Sequence, residues 1–343
     1  MRIIDVRAVQ PHSPTAPQDW RSWLGQILVR VDTDDGLTGY GVGGGGKAGI
    51  HVVETVLREM LVGQDASDVE ALWTQMYRKT LAFGQKGLAV MAISGADLAL
   101  WDLRGKREGK PLVEALGGRA GEAMMAYKTG WSPREVETGN AQGFRAVKLQ
   151  VGRQDAAGAI AQVRQVRQAL GPDAQVMTDA FMSWDLETAL QAAEGFAEYG
   201  VGWLEEPLPC DDLAGYEHLA LKSPVPIAAG EHEYTAVAFE GWMRRELLAV
   251  YQPDVCWCGG MTELVKIYEM AGRYGVQVRP HRGAEVWGLH AIAALDPEPL
   301  AESGRPWMTW VKDQPEIVDG EIRVTDRPGF GVTFDEGVWA LDK

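Results

Sequence analysis

The 343-residue chain carries 48 acidic against 33 basic side chains, with 46% apolar and 24% charged residues. That is the balance of a globular protein with an ample core, and the acidic excess argues against nucleic acid as a partner, because phosphate binding needs clustered Lys and Arg. No apolar run approaches the roughly 20 residues that span a bilayer, and the N-terminus MRIIDVRAVQPH lacks the apolar block of a signal peptide, so a cytoplasmic protein without membrane partners is expected.

Residues 1–120 read as strands followed by helices. Ile27 to Val31 alternates apolar with polar, Asp35-Gly36 is a hairpin signal, and Leu37 to Val42 continues the pair. Gly41-Val-Gly-Gly-Gly-Gly46-Lys47-Ala48 approaches the phosphate-cradling pattern G-x-x-x-x-G-K-[ST]. Ala48, however, lacks the hydroxyl that would hold a nucleotide's Mg²⁺. A mobile loop closing over a pocket is the expected use of these glycines. From Ile50 the pattern turns helical, and Ala89 to Arg104 reads as a largely buried helix broken only by Gly95. Gly117-Gly118 ends the region.

After residue 121 short apolar strands alternate with helices. The strands are Met124 to Thr129, Ala146 to Gln150, Gln175 to Asp179, Val201 to Glu205, Pro226 to Glu231, Val250 to Asp254, Val276 to His281 and Pro299 to Glu302. One of the helices is Asp185 to Glu198. Eight such units predict an α/β fold with a parallel sheet closed into a TIM-type barrel. An extended tail, Gly320 to Lys343, turns at Arg327 to Gly331. The expected division is residues 1–120, a barrel over 121–315, and a tail over 316–343.

In a βα barrel the C-terminal ends of the strands surround one pocket. Read in order, those ends carry Lys148, Asp179, Glu205, Glu231, Asp254, His281 and Glu302, and from Lys148 to His281 they are spaced between 23 (254−231) and 31 (179−148) residues apart. In Trp203-Leu204-Glu205-Glu206-Pro207, strand alternation sends one carboxylate inward; Glu205 is taken as that one and Glu206 as an outward, structural neighbour. Asp179, Glu205 and Glu231 on adjacent strands would repel one another unless a hard cation joined them, and all-oxygen ligation favours Mg²⁺. Asp254 beside His281 can fix its tautomer and support a general base. His218 and His290 read as structural, and Cys210, Cys256 and Cys258 as packing residues, because a lone Cys-Trp-Cys lacks the second ligand pair of a zinc site.

These residues resemble the enolase superfamily, mandelate racemase subgroup, and more specifically its acid-sugar dehydratases of the L-rhamnonate dehydratase type. The resemblance runs through Ala96-Asp97-Leu98-Ala99-Leu100-Trp101-Asp102-Leu103, Asp179-Ala-Phe-Met-Ser183, Gly230-Glu231-His232, Gln252-Pro-Asp254-Val-Cys-Trp-Cys258-Gly-Gly260, Pro280-His281 and Asp326-Arg-Pro-Gly-Phe-Gly-Val332. It implies a modified (β/α)7β barrel with an N-terminal α+β capping domain completed by the C-terminal tail. It further implies Mg²⁺ on Asp179, Glu205 and Glu231, a catalytic Asp254–His281 dyad, and a substrate or enolate contact from Glu302. Early capping loops of such enzymes set specificity, which points to His12, Trp20 and Arg21.

Racemases of the subgroup end the second strand in Lys-x-Lys, whereas this chain has Lys148-Leu149-Gln150. Gln150 cannot titrate, so one-sided chemistry by His281 is expected. Arg282-Gly283 after His281 is a second departure, and Gln150 and Arg282 complete the expected substrate-binding set. The expected reaction is dehydration of an L-rhamnonate-like sugar acid to a 2-keto-3-deoxy acid. His281 would take the C2 proton, and an enediolate stabilised by Mg²⁺ with help from Lys148 and Glu302 would form. A homo-oligomer is expected. A sugar-acid cycloisomerase or epimerase would use the same metal and base, and a binding or scaffold barrel that has lost catalysis is the reading from another class.

Overall fold

The computed structural model describes residues 1–11, 25–305 and 307–340. His12, Trp20 and Arg21 therefore lie outside the described residues. The chain opens with an antiparallel sheet of β1 (Ile3–Val9), β2 (Ile27–Thr33) and β3 (Thr38–Gly43) in sequence order. The Asp35-Gly36 turn closes as expected: Thr33 N–H donates to the Leu37 carbonyl at 3.0 Å, and Gly36 takes a φ of 86°. Helix Leu88–Glu108 lies buried behind this sheet over nearly its whole length.

The glycine-rich stretch has a different use from the mobile loop expected. Residues 41–46 are buried, and Gly39, Gly41 and Gly43 share one face of β3 because strand side chains repeat every second residue. A Cβ on them would come within 2.1 Å of the Ala99 carbonyl oxygen, 2.2 Å of that of Gly95 and 2.4 Å of that of Met91. Those three carbonyls step along one face of the helix at intervals of four residues, so the bare glycine face brings strand and helix backbones into contact. Gly95 answers from the helix side, where a Cβ would lie 2.6 Å from a Val29 methyl.

Eight parallel strands follow, with helices between them. They are β4 (Ala123–Gly130), β5 (Ala146–Gln150), β6 (Gln175–Asp179), β7 (Val201–Glu205), β8 (Ile227–Ala229), β9 (Val250–Tyr251), β10 (Gln277–Val278) and β11 (Leu300–Glu302). Their order is β10-β9-β8-β7-β6-β5-β4-β11, so the sheet curls until the last strand pairs with the first. Among the described residues no ladder joins β10 to β11; the Ala284 N–H donates across that joint to the Glu302 carbonyl at 2.8 Å. Seven helices join the eight strands, the (β/α)7β arrangement anticipated.

Three strands stop earlier than their apolar runs suggest. Gly230, at φ 134°, turns the chain away after β8. Gln252 and Arg279 each extend the ladder by one hydrogen bond, at 2.9 and 2.8 Å, before Pro253 and Pro280, which have no N–H to donate. Glu231, Asp254 and His281 therefore stand in loops just past the strand ends.

The tail returns to both parts of the fold. β12 (Glu321–Arg323) pairs antiparallel with residues 123–125 of β4, and Phe334, in β13 (Thr333–Phe334), packs on Tyr40 with ring centroids 4.6 Å apart. The Phe330 N–H donates to Asp102 at 3.0 Å, and Gly329 donates to the Lys110 carbonyl at 3.0 Å. His290 seals this junction: its Nδ1 accepts from the Val113 N–H at 2.9 Å while Nε2 faces the Phe330 carbonyl at 3.4 Å. The structural reading of His290 and of exposed His218, which contacts the Ala214 carbonyl at 3.0 Å, fits these contacts. Among the described residues no helix is long and apolar enough to cross a membrane.

Gly41→Ala should lower unfolding stability by at least about 2 kcal/mol, because the added methyl meets backbone that cannot yield; urea denaturation measures it. Burial lowers the pKa of His290 from 6.5 to about 4. The fold thus favours neutral His290, and that contribution, present above pH 6.5, is lost as pH falls towards 4. Stability of the wild type relative to His290→Leu should shrink over that window by at most roughly 3 kcal/mol, as read by denaturation at each pH.

Candidate active site

Lys148 occupies the centre of the barrel, 1% exposed, pointing inward from β5. Its Nζ lies 2.6 Å from Glu205, 2.8 Å from Glu302 and 3.5 Å from Asp179. Burial opposes its charge, but these three carboxylates outweigh burial and hold the ammonium's pKa well above the usual lysine value. Glu302 also accepts from the Thr129 hydroxyl at 2.5 Å and the Arg282 N–H at 2.8 Å. Burial pushes its carboxyl up, yet Lys148 above all, then His281, pulls the balance below the ordinary value.

The three proposed metal ligands end adjacent elements. Asp179 and Glu205 are direct register partners on β6 and β7, and Glu231 follows β8. Asp179 accepts from Gln150 at 2.5 Å and from the Phe181 N–H at 2.8 Å; Glu205 accepts from Gln252 at 2.6 Å and Trp203 at 3.2 Å. Burial, and then the neighbouring acids, raise Asp179 and Glu205, with Lys148 opposing. Burial likewise raises Glu231, against the pull of His281.

Glu206 departs from the expected outward position. The β7 strand ends at Glu205, so alternation no longer governs the next residue, and Glu206 adopts φ 38° before Pro207. Its buried carboxylate turns to the His232 Nδ1, with its two oxygens at 3.0 and 2.9 Å. Burial opposes protonation of His232, but Glu206 and Glu231 raise its pKa to about 9. Among the described residues, the ligand atoms of Glu206, Glu231 and His232 lie within 4.8 Å of one another, a tighter group than the expected trio. Asp179, Glu205 and Glu231 instead each pair with a neighbouring donor. The all-oxygen set around Asp179, Glu205, Glu206 and Glu231 suits a hard divalent cation, whose charge would offset the crowding that raises three of these acids.

Beyond the carboxylates, His281 donates or accepts at both ring nitrogens: Nδ1 is 3.0 Å from Asp254 and Nε2 is 3.2 Å from Glu231. Arg282, at φ 54°, also binds the Asp254 carboxylate, and its guanidinium stands 5.3 Å above the Trp257 ring. Burial raises Asp254, but the Arg282 charge and the His281 hydrogen bond hold it well below the usual carboxylate range. The structure thus brings together Lys148, Gln150, Asp179, Glu205, Glu231, Asp254, His281, Arg282 and Glu302. It adds Thr129, Glu206, His232, Gln252 and Trp257, of which His232, Gln252 and Trp257 stand in motifs flanking the ligands and Glu206 adjoins Glu205. A cavity of about 870 Å³ opens at the opposite end, lined by strand starts such as Gln175, Gly202, Gln277 and Leu300. The clustered carboxylates and histidines lie at the other end, where barrel chemistry resides.

Residues 4–117 match the model of the mandelate racemase / muconate lactonizing enzyme N-terminal domain, and residues 133–338 match the enolase C-terminal domain-like model. The chain is 36% identical over 333 residues to an L-rhamnonate dehydratase of Saccharopolyspora erythraea, covering 92% of this chain and 84% of that one. The fold is similar to the 3,6-anhydro-D-galactonate cycloisomerase of Zobellia galactanivorans, with TM-score 0.90, 28% identity and 99% of both chains covered. It is also similar to the L-talarate dehydratase of Polaromonas sp. JS666 in complex with Mg and L-glucarate, with TM-score 0.88, 30% identity, and 99% and 96% of the two chains covered. With both domain models matched in order and the strand-end acids gathered in one cluster, the chain belongs to the enolase superfamily, in the mandelate racemase subgroup.

Proposed function

We propose that this enzyme is an Mg²⁺-dependent acid-sugar dehydratase that converts an L-rhamnonate-like aldonate to its 2-keto-3-deoxy acid. The observation that carries the reading is the Asp254–His281 pair facing the carboxylate cluster, with Gln150 where a second base would stand. The names of the similar dehydratases support the reaction class, and the Mg in the L-talarate dehydratase supports the cation. Residues 1–120 with the tail would form the capping unit, and its early loop with His12, Trp20 and Arg21 would complete the substrate pocket.

In this reading Asp179, Glu205 and Glu231 hold Mg²⁺, with Glu206 and His232 supporting the set. Mg²⁺, when bound, supplies the Lewis acid that lowers the acidity barrier at C2. Asp254, kept anionic by Arg282, accepts the His281 Nδ1–H, and Nε2, which faces Glu231 at 3.2 Å, would be the basic nitrogen with Glu231 engaged by the cation. His281 takes the C2 proton at Nε2, and Lys148 supplies positive charge where negative charge develops on the substrate carboxylate. Glu302, held anionic, steadies Lys148 and the Arg282 backbone. The C3–O bond then breaks, and His281 returns its proton to the departing hydroxyl, which leaves as water. The remaining enol tautomerises to the 2-keto acid.

A cycloisomerase is the second reading, favoured by the similarity to the Zobellia galactanivorans enzyme. Incubation in deuterated water separates the two: deuterium at C2 or a rearranged product without loss of water would displace dehydration. The primary test is a screen of the Mg²⁺-loaded enzyme against mono- and diacid sugars for 2-keto acid formation; no product from any would sink the proposal.

His281→Asn should reduce kcat by at least about 10²-fold while leaving Mg²⁺ affinity unchanged, as compared by steady-state kinetics and calorimetry. Chelation with EDTA should abolish turnover, and added Mg²⁺ should restore it. Because carboxylate crowding is relieved by the cation, Mg²⁺ should also raise the melting temperature; an unchanged melting curve counts against the site.

A further inference from the structure

A single hydrogen bond to Nδ1 does not fix an imidazole, since the ring can still swing about that bond. Glu231 also faces the His281 Nε2 at 3.2 Å, but in the proposed reading Glu231 is engaged by the cation and Nε2 by the substrate, so the Asp254 grip needs a second contact. Trp257 provides a ring surface there: its indole lies 6.2 Å from the His281 ring at 61° and 5.9 Å from the His232 ring at 50°. The indole is 7% exposed.

Trp257 is itself held on three sides. Its backbone N–H donates to the Asp254 carbonyl at 2.9 Å, so the carboxylate and the indole share one tight turn. The Arg282 guanidinium covers one ring face at 5.3 Å, while also binding Asp254. From the other part of the fold comes Gly44, in the glycine turn after β3. A Cβ at Gly44 would lie 3.0 Å from the Trp257 Nε1, 3.1 Å from the Met91 sulfur and 3.2 Å from the indole Cδ1. Gly44 is thus kept bare to let the indole seat.

We propose that Trp257 is a positioning residue for His281, linking the glycine turn of the N-terminal region to the orientation of the catalytic imidazole through the Gly44–Trp257 contact. The role rests on the dehydratase reading for its kinetic consequence, but not for its structural one. The indole carries no proton in the reaction; it confines the ring so that Nε2 meets the substrate at one angle. Misplacing a reacting group by about 1 Å can cost roughly 10²-fold in rate.

The test uses Trp257→Leu, Trp257→Phe and Gly44→Ala in the full chain with Mg²⁺ and L-rhamnonate. Trp257→Leu should lower kcat by about 10²-fold with KM changed less than about 3-fold, the signature of a transition-state defect. Trp257→Phe should recover most of that loss, and Gly44→Ala should lower kcat in the same sense. Mg²⁺ affinity should stay at the wild-type value in all three. Crystal structures of the Mg²⁺-loaded variants should show the His281 ring turned or split between orientations in Trp257→Leu. That readout needs no turnover, so it decides the positioning role even if the wild type dehydrates no sugar acid. An unmoved ring, a rise in KM with kcat intact, or a loss of Mg²⁺ affinity that matches the loss of turnover overturns the proposal.

Discussion

One buried ammonium organises the interior of this barrel. Lys148 reaches from β5 to carboxylates on β6, β7 and β11, and so ties strands from both halves of the sheet to one point. A lone buried charge would be prohibitive, and so would the acids without it. The arrangement is stable only as a set, which constrains what each strand can carry at its end. Removing Lys148 would leave the acids buried without their cation, so the site and the fold share the same residues.

Lys148, Asp179, Glu205 and Glu302 sit within their strands, whereas Glu206, Glu231, Asp254 and His281 stand just beyond theirs. Inside the ladder, alternation would send every second residue away from the pocket. Pro207, Pro253 and Pro280 have no N–H to donate and so free the residues beside them from the ladder. Glu206 and His232 then meet across the gap between two loops, and His281 comes within reach of Asp254 and Glu231 together. Positive φ at Phe181, Glu206 and Arg282 marks the turns where the chain leaves the pleat. Such conformations carry strain for non-glycine residues, and these three lie beside the site residues.

Much of the barrel was legible because its signal repeats. Apolar strands ending in an acid, lysine or histidine at near-constant intervals leave few alternatives, and β5, β6 and β7 coincide residue for residue with their apolar runs. What was not legible depends on contacts between distant segments. Glu206 was assigned outward because alternation was carried one residue past the end of its strand. The glycines from Gly41 to Gly46 look like a flexible loop in isolation, yet Gly41 and Gly43, with Gly39 before them, are spaced by two and match a helical face that only the fold brings opposite. Arg282 reads as a substrate-binding residue in sequence, whereas its partner Asp254 lies a whole βα unit earlier. Its part in the site was therefore visible, but its attachment to the dyad was not.

The site is polarised in a way that bears on its chemistry. On one side stands His281, with a carboxylate at each ring nitrogen and an arginine behind the first. On another stands Gln150, an amide that binds Asp179 and cannot exchange a proton with a substrate. In the proposed reading His281 is the base and Gln150 an inert amide, so the site would remove a proton with no second base to return it to the opposite face. Net chemistry then requires something other than inversion at C2, and loss of a neighbouring hydroxyl on the face of His281 meets that requirement with the same imidazole as acid. In that reading the difference between His281 and Gln150, more than the carboxylates that surround them, would turn the site towards elimination.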